Sequence, residues 1–452
     1  AMRQRDIFWF WLPLFASWLL MTAEGPLIAA AINRLPDEVI MLAAMGIVNS
    51  LSVTIESPII NLLATSTALV RDHASYLLVR RFTIHLCLIL TVVAILVGYT
   101  PLFDALVPGL LDVPDEIARW VRPGLQIMIL WSAAIGWRRF LQGILIRFNH
   151  TRLIAWGTAV RLLASGGTVA VLALWGRWPG VIIGSVALMA GVLAEAAFAT
   201  WAVRPVLRDE LSADAPAAAN ASSGGGPPLT YRALLAFHLP LAATSLLVLL
   251  MQPLVTSSLA RLDRPTESLA AWPILFQILL MARAAALALP EVIIALHRDR
   301  GTFGPLRRFS FTLVGAVTAA TAVFALTPLA GFYVFRVQDM TPDVGELALS
   351  SLSLFLLFPA LAVLTSWLRG LLIHGRHTRD VNVGMAINLA VTGATLLLGL
   401  RLAWPGLPTA ALALNLASLA EVIYLTWRTR AALPADLPLF GIQAGVSMMK
   451  KA

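Results

Sequence analysis

The sequence predicts an all-α membrane protein with twelve transmembrane helices in two parallel six-helix repeats. Three observations predict it. Of its 452 residues, 59% are hydrophobic and 13% charged, with a mean hydropathy of +0.82, too apolar a surface for a water-soluble core to hide. Twelve apolar runs are long enough to cross a bilayer. The chain also matches itself at a register shift of 227 residues.

A spanning helix needs about 20 mostly apolar residues, each rising about 1.5 Å through a core about 30 Å thick. Runs of that kind lie near 7–33, 38–70, 79–103, 118–146, 152–175, 179–203, 231–260, 266–296, 308–335, 344–372, 380–401 and 407–428. The first follows Arg3 and Arg5 and has small residues near Ala23, as a secretory signal would. The repeat supplies it with a partner in the seventh run, so it is expected to stay as a span. Alternate loops carry Arg71, Arg80, Arg81, Arg147, Arg152, Arg204, Arg208, Arg298, Arg300, Arg307, Arg308, Arg376 and Arg379. The remaining loops carry Asp104, Asp112, Asp115, Glu116, Asp339, Asp343 and Glu346. The positive-inside rule then places both termini in the cytoplasm of a multi-pass protein of the inner or plasma membrane. The net charge of +9 is read as topology, and no nucleic-acid partner is expected.

The single cysteine, Cys87, sits in an apolar run, so neither an intrachain disulfide nor a thiolate metal cluster is available, and no metal or cofactor is expected. Trp9, Trp11, Trp175, Trp178, Trp404 and Trp427 fall at span ends, as headgroup-level rings do. The stretch 212–228, rich in Ala, Ser, Gly and Pro, can bury nothing and divides the chain. The expected domains are a first lobe, 1–205, a flexible cytoplasmic linker, 206–229, a second lobe, 230–430, and a cytoplasmic tail, 431–452.

At the shift of 227, Leu12-Pro13-Leu14 falls on Leu239-Pro240-Leu241, Pro26-Leu27 on Pro253-Leu254, Arg34 on Arg261, Arg71-Asp72 on Arg298-Asp299, and Arg80-Arg81-Phe82 on Arg307-Arg308-Phe309. His150-Thr151-Arg152 falls on His377-Thr378-Arg379; after one deletion Glu195, Trp201 and Arg204 meet Glu421, Trp427 and Arg430. Composition can align leucines with alanines, but not prolines, arginine pairs and glutamates in one register. Six spans per copy return the second copy in the same orientation, so the halves are parallel repeats about an axis along the membrane normal. The expected site is a cavity between them, served by alternating access.

The loop Leu69-Val70-Arg71-Asp72-His73-Ala74-Ser75-Tyr76 has no glycine and matches the major facilitator pattern poorly, although that superfamily stays an alternative. The segment Met41-Leu42-Ala43-x-x-Gly46-x-x-x-Ser50-Leu51 with Pro58, approached by Leu12-Pro13-Leu14 and Glu24, resembles the second span of the progressive-ankylosis branch of the multidrug/oligosaccharidyl-lipid/polysaccharide (MOP) exporter superfamily. Gly143-Ile144-Leu145-Ile146-Arg147 resembles the end of that branch's fourth span. The resemblance implies a V-shaped, MATE-like pair of bundles exporting an organic solute. In that branch the solute is an organic anion such as citrate or a nucleotide; in the multidrug branch it is a cationic drug exchanged for protons or sodium. Glu24 stands where the multidrug pattern has an aspartate, which leaves H+ or Na+ coupling open.

A charge in the hydrocarbon core costs about 2.5–3.5 kcal/mol on insertion scales, so intramembrane charges should face a partner or a wet cavity. Glu24, beside Gly25-Pro26, is either a proton or cation carrier or a carboxylate paired within its lobe. Glu56 and Arg283 occupy equivalent repeat positions and can form a gate across the cleft, hold an anionic or zwitterionic substrate, or pair within their lobes; Arg283 can also snorkel. Asn49, Asn61, Gln252 and Gln277 offer neutral hydrogen bonds to a ligand or between helices. Glu195 and Glu421 recur in both copies and read as structural, with Arg161 a plausible mate for Glu195. Arg138, Arg139 and Arg369 are expected to reach lipid phosphates, and His238 to be a solvated end residue.

Among functions, a secondary active transporter of a small organic solute, working as a monomer among membrane lipids, leads. A flippase for a lipid or lipid-linked saccharide should line its cleft with several arginines. An enzyme should concentrate catalytic groups, whereas here the carboxylates are scattered one per helix.

Overall fold

The computed structural model describes residues 3–148, 150, 152–211, 229–297, 300–375, 377–432 and 439. Helices stand at all twelve expected places: α1 (Gln4–Ile32), α2 (Glu38–Leu69), α3 (His73–Tyr99), α4 (Asp115–Ile127 and Trp131–Arg147), α5 (Arg152–Trp175), α6 (Gly180–Asp209), α7 (Tyr231–Leu249 and Met251–Leu259), α8 (Pro265–Ile294), α9 (Arg300–Leu326), α10 (Pro342–Phe355 and Phe358–His374), α11 (Thr378–Arg401) and α12 (Gly406–Ala432). Among the described residues nine of these are long and apolar enough to cross a membrane, and α10 joins them as a pair bent by 45°. The other two, α4 and α7, are each divided, α4 at a 3-10 turn and α7 at Leu250.

Two spans are displaced from their expected limits by several residues toward the N-terminus. Helix α3 begins at His73 rather than 79, because the Asp72 carboxylate accepts the Ser75 backbone N–H at 2.8 Å and caps the first turn. It stops at Tyr99, just ahead of Pro101. Its repeat, α9, likewise starts early and stops ahead of Pro328. Each is followed by a short helix and then a π-helical turn, Ala105–Leu110 and Tyr333–Val337. The first part of the expected linker is ordered: Arg204–Asp209 is helical, Leu211 is buried, and its carbonyl accepts from His73 Nδ1 at 2.6 Å. Residues 212–228 and the tail beyond Ala432, apart from Leu439, lie outside the described residues, as do Arg298 and Arg376.

The duplication is visible in the backbone itself. Among the described residues, positive φ angles fall at Asp37 and Arg264, Asp112 and Asp339, and Gly176 and Ala403. Each pair is separated by 227 residues. A left-handed residue suits Gly, and Asp tolerates it, but it strains Arg and Ala. Its persistence at Arg264 and Ala403 shows that the surrounding frame, and not the local residue, dictates these turns.

The lobes meet through α1 and α2 of the first and α7 and α8 of the second. Ala43, Ala44, Ala270 and Ala271 are all fully buried where α2 crosses α8, small residues that let the helices approach. Gly46 faces its own repeat equivalent, Pro273, and a methyl at Gly46 would lie 2.6 Å from the Pro273 ring. The pseudo-twofold axis therefore passes between them. Around it the lobes exchange equivalent bonds. Trp11 Nε1 donates to Ala285 O at 3.1 Å, and His238 Nε2 donates to Pro58 O at 2.8 Å, both carbonyls lying by the breaks in α8 and α2. At the end bearing the 33–37 loop, called outer after the charge-based expectation, the Arg34 guanidinium donates to Val337 O at 2.8 Å and lies 4.0 Å from Asp339. Its equivalent, Arg261, donates to Leu110 O and lies 3.4 Å from Asp112.

These contacts correct two expectations. Trp11 is buried between lobes and does not join the headgroup belt, although Trp9, Trp175, Trp178 and Trp427 are exposed. His238 is 2% exposed and bonded on both ring nitrogens: since a carbonyl only accepts, Nε2 carries the proton and Nδ1 accepts from Thr65 Oγ1 at 2.9 Å. A solvated span entrance is not its setting.

Candidate functional site: two charged clusters, one filled and one open

Inside the first lobe, carboxylates and guanidiniums from five helices interlock. Arg161 on α5 grips Glu24 on α1, with Nε 3.0 Å and Nη2 2.6 Å from Oε2 and Nε 3.2 Å from Oε1. Glu195 on α6, fully buried, accepts from Arg138 Nη1 at 2.6 Å and from Gln142 Nε2 at 3.3 Å, both on α4. Arg161 Nη1 also lies 3.7 Å from Glu195, and its guanidinium sits 5.7 Å over the Trp131 ring. Glu56, at the end of the first part of α2, is 8% exposed, and its Oε2 has no hydrogen-bond partner; the charges acting on it are Arg139, Arg138 and Arg161.

The second lobe keeps the anchor and thins its surroundings. Glu421 on α12 is 1% exposed and accepts from Arg369 Nε at 2.8 Å, from Arg369 Nη2, and from Asn388 Nδ2 at 2.9 Å. Beside this trio lies a cavity of about 110 Å³, lined on its polar side by Arg283, Thr365, Ser366, Arg369, Asn388 and Glu421 and on its apolar side by Met251, Leu287, Phe358, Met385, Leu389 and Leu414. Arg283 stacks 5.3 Å over the Phe358 ring, and its Nε is buried without a hydrogen-bond partner. A void of only about 10 Å³, room for about one water, lies against Trp272 and Phe276 and shares Met251, Arg283, Phe358 and Leu414 with the first.

The predicted residues are thus distributed unevenly. Glu24, Arg161 and Glu195 come together in one network, but the firmest partner of Arg161 is Glu24 and that of Glu195 is Arg138, so the expected pair Arg161–Glu195 is the secondary contact. Glu56 and Arg283 form no ion pair with each other: the charges acting on each belong to its own lobe, Arg139 foremost for Glu56 and Arg369 for Arg283. Asn61 joins the lobes, donating to Leu241 O at 2.7 Å and Ser245 Oγ at 2.6 Å. Gln277 also stands at the lobe interface, its amide against Gly25, where an added methyl would come within 2.8 Å; its Oε1 is unpartnered. Gln252 accepts from the Trp272 indole at 3.4 Å and borders the smaller cavity, while Asn49 is exposed on α2.

Arg138, Arg139 and Arg369 do not extend to lipid phosphates. Arg138 is 5% exposed, Arg139 Nε is buried, and Arg369 is taken by Glu421. A guanidinium in the hydrocarbon core is drawn inward when a carboxylate waits there. Thr365, Ser366, Asn388 and Phe358 lie at the positions of Arg138, Arg139, Arg161 and Trp131 in the repeat. That register was the signal that could have found them.

No family model matches the sequence, and no curated protein matches it. Solved structures do. A multidrug resistance MATE family transporter of the MOP superfamily in an inward-facing conformation matches with a TM-score of 0.69 at 13% identity, covering 92% of this chain and 95% of that one. The lipid II flippase MurJ in an inward closed conformation matches with a TM-score of 0.70 at 13% identity, over 92% of this chain and 87% of that one. A MOP superfamily transporter from Pyrococcus furiosus, described by a reverse polarity of its binding pocket, matches with a TM-score of 0.64 at 12% identity, over 95% and 96% of the two chains. At this identity the likeness is one of fold, and the two six-helix lobes of this chain are built as those of MATE transporters are.

Proposed function

We propose that this chain is a MOP-type membrane transporter that carries a small organic anion, bound in the second lobe at Arg283. The observation that carries this reading is that Arg283, whose Nε is unpartnered, lines the cavity beside the Arg369–Glu421 pair. A guanidinium over an aromatic ring, with hydroxyls and an amide nearby, suits a carboxylate or phosphate. The organic-anion class implied by the progressive-ankylosis resemblance agrees with that sign of charge.

Transport by alternating access has the two lobes rock about the Gly46–Pro273 contact, with the Arg34 and Arg261 bonds parting when the outer side opens. Export from the cytoplasm across the inner membrane, by a monomer with both termini inside, belongs to the same reading. For Glu24 to carry a proton or sodium ion, Arg161 has to let go of three hydrogen bonds. Glu56, with one oxygen unpartnered, is the readier carboxylate for a coupling proton. No chemical conversion of the solute is part of the proposal.

Purified protein in proteoliposomes tests it. Under imposed proton or sodium gradients we expect uptake of at least one of citrate, a nucleotide or an aromatic carboxylate, falling about tenfold or more in Arg283→Gln, the loss of one charge-assisted hydrogen bond. Movement of cationic dyes, or of a lipid-linked saccharide, that is indifferent to Arg283→Gln would overturn the reading.

A further inference from the structure

At the inner end, away from the Arg34 and Arg261 clasps, the lobes touch along two seams that the repeat makes equivalent. In one, α1 of the first lobe lies on α8 and α9 of the second; in the other, α7 of the second lobe lies on α2 and α3 of the first. Both seams turn on a ring N–H that reaches a carbonyl beside a helix break, Trp11 to Ala285 and His238 to Pro58. Each ring also meets a phenylalanine in a T-shaped contact, Phe309 at 5.9 Å and Phe82 at 5.1 Å between centroids. All three pairs of positions are 227 residues apart. The geometry is shared and the chemistry is not: an indole takes up no proton near neutral pH, whereas a free imidazole does so at about 6.5. His238 further accepts from Thr65 Oγ1, where the other seam has Val292.

The closed His238 seam has no place for a positive charge. The ring and Thr65 are 2% and 0% exposed. A protonated ring has to donate from both nitrogens. Thr65 can turn its hydroxyl to accept, but it brings no negative charge. Of the other groups on α2, Glu56 is acted on by Arg139, Arg138 and Arg161. Helix α3 presents Phe82, and its titratable His85 is engaged with Tyr231 Oη at 3.1 Å. On α11, which also packs on α7, Asp380 is held by Arg428. Among the described residues no charged group acts on His238. An imidazolium in the closed seam is therefore a buried charge without a partner, whereas water solvates it once the lobes part.

We infer that the His238 seam is a proton-sensitive latch: a proton taken by the ring holds the inner end open, its loss lets the lobes close, and the Trp11 seam is indifferent to pH. This goes beyond the proposed function and needs from it only that the lobes part at the inner end. The sign follows from the closed form holding the neutral ring and the open form accepting either state, so acid favours the open form. His85 is not a second sensor. It is exposed in the closed seam and gains a proton without opening it.

The full chain in nanodiscs tests the latch by double electron–electron resonance, with spin labels at Arg152 and Arg379, equivalent exposed positions at the inner ends of the two lobes. With a proton site in the open form and none in the closed form, the ratio of long to short distances should rise about tenfold between about pH 7.5 and about pH 5.5. His238→Gln keeps an N–H for Pro58 O, and His238→Trp copies the other seam. Each should cut the rise to less than about twofold, while His85→Gln should keep it. A parent distribution that is the same at both pH values, or a rise that survives both His238 variants, overturns the latch. Arg283-dependent anion uptake is measured alongside, so the latch can fail while the transport reading stands, and the transport reading can fail while the latch stands.

Discussion

The two lobes hold the same buried glutamate with different neighbours, and the difference bears on where the proposed solute would sit. In the first lobe Glu195 is bounded by Arg138, Gln142 and Arg161, and Arg161 reaches on to Glu24, so long charged side chains fill the bundle. In the second lobe the positions of Glu24, Arg138, Arg139 and Arg161 are taken by Met251, Thr365, Ser366 and Asn388. One arginine, Arg369, at the position of Gln142, and one amide now suffice for Glu421. Shorter side chains on an unchanged frame leave the volume that they no longer occupy, because neighbouring helices relax only in part. Thr365, Ser366 and Asn388 line the cavity beside Glu421 where the first lobe has guanidiniums, although Arg283 and Arg369 reach the same cavity from the positions of Glu56 and Gln142.

The largest expected effect tests whether the first cluster is a strut. Glu195→Ala strands Arg138, whose side chain is 6% exposed, and removing one partner of such a pair costs about 3–5 kcal/mol. Glu421→Ala strands Arg369, whose side chain is 25% exposed beside the cavity and can find water there, for about 1–2 kcal/mol. Thermal unfolding in a mild detergent should rank the two in that order. Equal losses would mean that the second lobe's cluster is as closed as the first.

A second test converts one lobe into the other. Met251→Glu together with Asn388→Arg recreates the Glu24–Arg161 pair and refills the open cluster. Anion uptake should fall by about tenfold or more, while the unfolding temperature moves by no more than about 4 °C. Retained uptake would place the substrate path elsewhere.

The frame of this comparison was legible in the sequence, and its contents only in part. The 227-residue register is readable because prolines, arginines and glutamates stand out against an apolar background, and the helices keep the expected order, with α3 and α9 displaced toward the N-terminus. Depth along each helix was equally readable. Azimuth was not. Spans as apolar as these carry little polar stripe to say which way a residue faces, so Arg138, Arg369 and His238 were assigned by nearness to a span end to lipid or water, when each turns inward to a partner on another helix. Pairing suffers in the same way. Arg161 was matched to Glu195 within the adjoining α5 and α6, but its better-oriented carboxylate is Glu24, 137 residues away on α1. What the repeat could have offered, and only the structure made plain, is that positions where the copies disagree in size mark the cavity.

The smallest expected effect concerns the outer end, where the lobes remain alike. Arg34 and Arg261 make equivalent contacts with the opposite lobe, each to a backbone carbonyl and to an aspartate in the left-handed region. Both ion pairs are solvent-exposed, so each contributes only about 0.2–1 kcal/mol and weakens with salt. The symmetry is broken by one bond on each side: Thr266 Oγ1 donates to Glu116 at 2.8 Å where the first repeat has Val39, and Gln338 Nε2 donates to Pro26 O at 3.3 Å where the first repeat has Leu111. Each clasp is thus backed by one neighbouring bond, so Arg34→Gln and Arg261→Gln should loosen the outer contact by similar amounts, and the double variant more than either. Spin labels at Asp115 and Asp343 report this as a broader, longer distance distribution, which high salt should reproduce in the parent. A double variant indistinguishable from Arg34→Gln alone would show that one clasp holds the lobes and that the equivalence at this end is geometric without being energetic.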